Sequence, residues 1–190
     1  NGFSYNANMI TRNKNMMREL LVGKDYSIDS KICNNIKDID EFLHQRDSMI
    51  IKPPIGAGGK GVSKLNIGDD VEIFIKDNGI QLPILVEEYV EGDVVYTVEA
   101  VTYNKKHSIL AIAAEIFKED TFLINYTIMP APIDESHKKL IIEKVMLFLD
   151  DIQLENGITH TEVKLDKQNK PIIIESQVRI GGGNIWKMVE

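Results

Sequence analysis

Hydrophobic and polar positions alternate most regularly near the C-terminal end, in THTEVKLDKQNKPIIIESQVRIGGG from Thr159 to Gly183. Two runs, Thr161 to Leu165 and Pro171 to Ser176, flank the polar stretch Asp166-Lys167-Gln168-Asn169-Lys170. Polar turn residues between β-branched runs predict an antiparallel hairpin. Closing it sets Glu162 across from Glu175. A side-chain period of two then puts Glu175, Gln177 and Arg179 on one face.

The rest of the pattern mixes both periods. Residues 1 to 8 read as irregular, and Met9 to Leu21 reads as one helix carrying Met9, Ile10, Met16, Met17, Leu20 and Leu21, ended by Gly23. Lys14 falls on its polar side, which by itself describes a solvated lysine. A short helix is expected over Asp40 to Gln45 with Asp38 as cap, then a strand over Ser48 to Lys52 stopped by Pro53-Pro54. A strand over Val62 to Ile67 and a helix over Asp69 to Lys76 follow. Pro83 to Gly92 (PILVEEYVEG) reads as a buried strand emerging into acids. Val94 to Tyr103, His107 to Glu115 and Thr121 to Met129 read as further β segments. Ile109 to Ile116 should be core, and His107, beside a turn, a surface residue. The clearest helix is Glu135 to Asp150, capped by Asp134 or Ser136, with Leu140, Ile141, Val145, Leu147 and Phe148 as its apolar stripe. Asn184 to Met188 reads as a last helical turn. The class is α+β.

Composition narrows the partners. The chain has 190 residues, 43% of them hydrophobic, and a net charge of -7, which describes a globular chain with ample core. An acidic balance argues against nonspecific nucleic-acid or anionic-membrane binding, which need positive fields. One cysteine, Cys33, excludes an internal disulfide and fits a reducing compartment such as the cytoplasm. No apolar run approaches the roughly 20 residues of a spanning helix. The chain opens at Asn1 and stops just after a glycine cluster, so a fragment of a longer protein is expected.

Two stretches carry chemistry. On the hairpin, two carboxylates, an amide oxygen and a guanidinium on one face make a hard-oxygen cation site beside an anion clamp, suited to Mg²⁺ (or Mn²⁺) bridging phosphates. The alternative is a solvated strand face, but opposed acids repel unless a cation compensates. The second stretch is Ile55-Gly56-Ala57-Gly58-Gly59-Lys60-Gly61, with four glycines in the six residues from Gly56. It matches G-x-G-x-x-G, yet a dinucleotide fingerprint needs a helix next and strand follows. No Gly-Lys-Ser/Thr opens a helix either. What remains is a strand–loop–strand flap whose backbone N–H groups fold over phosphates, with Lys52 and Lys60 adding charge. A plain mobile hairpin tip is the competing description.

Taken in order, RNKNMMRELL, IIKPPIGAGGKGV, ILVEEYVEG, HTEVKLD and IIIESQVRIGGG resemble the ATP-grasp superfamily, and within it the carbamoyl-phosphate-synthase-like carboxylate–amine ligases, including the L-amino-acid ligase type. The resemblance spans nearly the whole chain. It implies two lobes with antiparallel sheets gripping ATP, a small flap-bearing lobe over about 22–85 and a larger lobe over about 86–190. An N-terminal domain and a C-terminal end are expected beyond this stretch. By resemblance, Lys14 and Lys52 contact phosphates and Gly56, Gly58, Gly59, Lys60 and Gly61 form the flap. Glu87, Glu88 and Val90 form the adenine hinge, and Glu162, Glu175 and Gln177 hold metal. Arg179 steadies the reacting carboxylate, and Gly181 and Gly182 lie beside the acceptor.

Two departures stand out. Gln177 occupies a position where the family usually has Asn. Val94 and Val95 stand where a ribose-binding Glu is common, with Asp93 a weak substitute and Glu99 either facing the nucleotide or exposed. The implied activity joins a small carboxylic acid, an amino acid in this type, to an amine through an acyl phosphate. The alternatives are a nucleotide-binding regulatory or scaffold module and a bicarbonate-using carboxylase-type enzyme. A protein-kinase reading fails for want of a His-Arg-Asp loop and Asp-Phe-Gly. Oligomeric state stays open, a homodimer included.

Overall fold

The structure is a computed structural model that describes residues 4–56, 58–118 and 121–188. It divides into two compact units, Ile28–Tyr89 and the pair of segments Asn1–Ser27 and Val90–Glu190.

The chain starts with two helices, α1 (Tyr5–Arg12) and α2 (Lys14–Leu21), where periodicity predicts one. Asn13 makes the difference. Its backbone is extended (φ -106, ψ 106) and its side chain accepts from the N–H groups of Asn15 and Met16. Asn competes with the helix by bonding nearby backbone, so it ends one helix and caps the next. Lys14 thereby opens a new helix and is buried, not solvated.

The smaller unit begins with β1 (Ser30–Cys33) and α3 (Ile36–Leu43), continues through β2 (Ser48–Lys52), β3 (Ser63–Asn66) and α4 (Val71–Asp77), and ends with β4 (Ile84–Glu88). Helix α3 starts earlier than expected because Asn35 is its cap, accepting from Asp38 N. Asp38 instead accepts from Asn34 N, a reciprocal arrangement within the first turn. The four strands form an antiparallel sheet in the order β1-β4-β2-β3. Met49, Ile51, Leu65, Ile84 and Val86 pack against Ile39, Phe42, Val71 and Ile75 of the two helices. Cys33 lies in this core, where burial pushes its thiol pKa up to about 11.

In the larger unit, β5 (Val94–Tyr103), β6 (Lys106–Phe117) and β7 (Ile124–Ile128) precede α5 (Glu135–Asp151). The hairpin strands β8 (Asn156–Leu165) and β9 (Pro171–Gln177) follow, then α6 (Ile185–Met188). The antiparallel sheet runs β7-β6-β5-β8-β9. Its apolar face, with Val98, Ala100, Ile112, Val163 and Ile173, packs on Ile141, Val145, Phe148 and Leu149 of α5. Asp134 caps α5 by accepting from Ser136 N and His137 N.

Three expectations change here. Leu140 and Leu147 are exposed, because the stripe that meets the sheet runs Ile141, Val145, Phe148, Leu149. Leu110 is also exposed, since β6 alternates over that part of its length. The His107 side chain is buried, its Nδ1 2.7 Å from Thr102 Oγ1 and its Nε2 3.1 Å from Asp150 Oδ1. Among the described residues no helix is long and apolar enough to cross a membrane.

Candidate functional site

The hairpin register is the starting point. Across β8 and β9, Leu165 faces Pro171 and Val163 faces Ile173, but Glu162 faces Glu175, so Ile174 has no partner residue on β8. This bulge restores the alternation that three consecutive isoleucines would otherwise break. Ile173 stays in the core while Glu175 emerges on the opposite face. Beyond the bulge, Ser176 turns inward and its hydroxyl lies 2.9 Å from that of Thr161.

Residues directly opposite in an antiparallel sheet share a face. The registers Thr97↔Glu162, Glu99↔His160, Val95↔Glu115, Glu162↔Glu175 and His160↔Gln177 therefore gather five ionisable side chains on the polar face of one sheet. Lys14 reaches the same place from α2, its Nζ 3.3 Å from Glu175 Oε1. Gln177 Nε2 donates to that same oxygen at 2.9 Å. Lys14, Glu162, Glu175 and Gln177 thus lie together on this face.

Sequence reasoning missed the next layer. The His160 ring is buried, and Nδ1 donates to Glu99. The other oxygen of Glu99 accepts from Gly181 N at 3.1 Å. His160 Nε2 lies 3.9 Å from Glu162 Oε1. Burial disfavours the imidazolium, but the Glu99 hydrogen bond and the charges of Glu99, Glu162 and Glu115 outweigh it and raise the His160 pKa. The Glu115 carboxyl is raised chiefly by burial, with His160 opposing and Glu99 adding. Gly181 is required sterically. A Cβ there would stand 2.6 Å from Glu99 Oε1 and 2.7 Å from His160 Nδ1. A signal for His160 was present: it precedes Glu162 by two in a period-two strand.

The smaller unit has a buried ion pair of its own. Lys52 and Glu87 are diagonal neighbours across β2 and β4, and Lys52 Nζ meets Glu87 Oε2 at 2.6 Å with both side chains buried. The glycine loop joins β2 to β3, and Ala57 within it lies outside the described residues. Gly58, Gly59 and Gly61 have φ of 64, 70 and 72, a left-handed region that side chains with a Cβ rarely enter. Lys60 between them is exposed. Left-handed residues in a turn can turn successive backbone N–H groups toward an anion.

Other expected residues stand apart. Glu88 N donates to Asp29 O at 2.9 Å, and Val90 O accepts from Lys164 Nζ at 2.8 Å. Asp93 is exposed. Arg179 lies past the end of β9, exposed, with Nη1 donating to Ile180 O at 2.7 Å.

In donor chemistry, Glu162 and Glu175 offer anionic oxygens and Gln177 an amide oxygen. Among the described residues no three His, Cys, Asp or Glu side chains are placed to hold a metal by themselves. Two carboxylates suit an ion whose shell is completed by phosphate, the habit of Mg²⁺.

The chain is 27% identical over 203 residues to the alanine–anticapsin ligase of Bacillus subtilis (strain 168), covering 94% of this chain and 42% of that protein. It therefore spans less than half the length of the curated relatives it matches. The L-amino acid ligase of Bacillus licheniformis superposes with a TM-score of 0.81 at 21% identity, covering 97% of this chain and 44% of that one. The N5-carboxyaminoimidazole synthetase of Staphylococcus aureus complexed with ADP gives 0.82 at 18%, covering 98% and 49%. The ATP-grasp domain profile matches residues 31–183. The chain belongs to the ATP-grasp family.

Proposed function

We propose that the protein containing this chain is an ATP-dependent ligase that joins a small carboxylic acid to an amine through an acyl phosphate. One observation carries the reading: Glu162 and Glu175 are opposed on a single sheet face with the buried Lys14 at 3.3 Å from Glu175. Opposed acids are costly unless cations compensate them. Lys14 meets Glu175 and His160 lies near Glu162, and a divalent cation held by Glu162, Glu175 and the Gln177 oxygen would add to that compensation. That ion would neutralise charge on the β- and γ-phosphate oxygens of ATP.

The chain's own residues divide the remaining tasks. Lys14 and Lys52 face phosphate oxygens as fixed cations, and Gly56, Gly58, Gly59, Lys60 and Gly61 cover the phosphates and exclude water, which otherwise hydrolyses an acyl phosphate. Adenine is read by backbone in the segment from Glu87 through Glu88 to Val90. The Glu88 N–H is already given to Asp29 O, so adenine would be read by other backbone groups of this segment. Asp93, exposed beside this segment, is the available ribose partner. The substrate carboxylate attacks the γ-phosphorus in line and ADP leaves. An amine then attacks the mixed anhydride and phosphate leaves, with Arg179 turning from Ile180 O to the oxyanion. Glu115, buried on the same sheet face, is a carboxyl group that an ammonium-bearing substrate such as an amino acid could meet.

The test is phosphate release by the full-length protein across a panel of acids and amines, with hydroxylamine as acyl trap. A hydroxamate formed from an amino acid and ATP supports the reading. Nucleotide binding without phosphate release for any acid would favour the non-catalytic module, to which the exposed Arg179 and Gln177 lend weight. Bicarbonate-dependent turnover would move the protein to the carboxylase type.

A further inference from the structure

Arg18 is a buried cation to which the reaction assigns nothing. It lies one helical turn after Lys14 on the same face of α2, so the two side chains reach β9 together. Lys14 takes the Glu175 carboxylate, whereas Arg18 takes backbone: Nη1 donates to Ile173 O at 2.9 Å and Nη2 to Ile174 O at 2.5 Å.

That pairing is impossible on a regular strand. Successive carbonyls of a strand point to opposite edges, so one guanidinium on the outer edge meets only every second one. β9 is an edge strand of its sheet. On its outer side Ile173 N already donates to Tyr26 O at 2.9 Å. The bulge at Ile174 swings the next carbonyl outward as well, and the flat fork of donors on Arg18 spans the two. The same bulge decides where Glu175 points. Without the extra residue, a strand that keeps Ile173 in the core would send Glu175 there too.

We infer that Arg18 is a positioning residue: by clamping both bulge carbonyls it holds Glu175 on the face it shares with Glu162, and so shapes the cation site. The inference rests on the metal reading proposed above. The two carbonyls need donors in any case, so the structural part of the task shows in stability, and the positioning part shows in cation affinity. Lysine offers its donors from a single nitrogen and lacks the flat fork that meets two carbonyls side by side.

The experiment uses the full-length protein, wild type and the variants Arg18→Lys and Arg18→Met. Mn²⁺ is titrated in the presence of ADP, with free Mn²⁺ read by electron paramagnetic resonance, and thermal unfolding is followed in parallel. The expected result is a loss of about 10–100-fold in Mn²⁺ affinity, the usual cost of removing a group that orients a ligand, with metal-free ADP binding kept. The Lys variant retains the charge and keeps the protein folded if the Met variant does not fold. Wild-type Mn²⁺ affinity in either folded variant overturns the inference, including when its Tm alone has dropped. Wild-type protein that binds no Mn²⁺ with ADP overturns the metal reading itself and this inference with it, and that control distinguishes the two failures.

Discussion

The two faces of the five-stranded sheet are built on the same strands and differ by one position along each. One face carries Val98, Ala100, Ile112, Val163 and Ile173 against α5. The other carries Thr97, Glu99, Glu115, His160, Glu162 and Glu175. Both are substantially removed from water, yet they use burial differently. Hydrocarbon gains roughly 25 cal/mol per Å² removed from solvent. Carboxylates and imidazole lose solvation and hold their places only by pairing, as Glu99 does with His160 and Gly181, and Glu175 with Lys14 and Gln177. The first face supplies stability. The second spends some of it to hold charges in fixed positions, which is what electrostatic catalysis at phosphate requires.

Substitutions that act on one face and spare the other test this division. Phe148→Ala, on α5 beneath the apolar face, is expected to cost about 3–5 kcal/mol, on the order of a thousandfold in the folding equilibrium, measured by denaturant titration. ATP turnover per folded molecule should hold; a matching loss would mean that the faces are not separable. Glu175→Gln should lower turnover about 100-fold or more while the Tm stays near wild type. Glu175→Ala is the harsher form, because it also leaves Lys14 buried beside a gap. Wild-type turnover in either would remove Glu175 from the site.

Gly181→Ala places a methyl against Glu99 and His160 and should lower kcat/KM for the acceptor about tenfold with the KM for ATP kept. Equal changes in both KM values would show that the segment does not act on the acceptor side alone. The smallest effect is expected from Asp134→Ala, which removes the α5 cap and should lower the Tm by a few degrees without changing turnover. Bonds from Ser136 and His137 depress the Asp134 pKa. Its stabilisation is therefore complete above the ordinary carboxylate range and fades as pH falls below it. The Tm gap between wild type and variant should shrink as the pH falls below the ordinary carboxylate range.

Legibility followed the range of the interaction. β2, β5 and the β8–β9 hairpin were readable because alternation and turn residues are local; the expected Glu162–Glu175 opposition depends on the bulge at Ile174, without which Glu162 would face Ile174. Asn13 carried a local signal as well, but its neighbours' helical period masked it, so one helix was expected where two form. Burial of His107 was not readable from its place beside a turn, since Asp150 lies far along the chain. Glu99 could be named as a strand acid, but neither of its partners could: His160 and Gly181 are 61 and 82 residues away.

By itself the sequence determined most of the element types, the β8–β9 hairpin and a chemistry of acids, lysines and a glycine loop, because side-chain period and turn preference act between near neighbours. Only the tertiary structure decided that Lys14 is turned inward onto Glu175, that Arg18 clasps the Ile174 bulge, and that Glu99, His160 and Gly181 interlock. Those outcomes depend on which distant strand supplies the partner, and a buried polar group is stable only where that partner arrives.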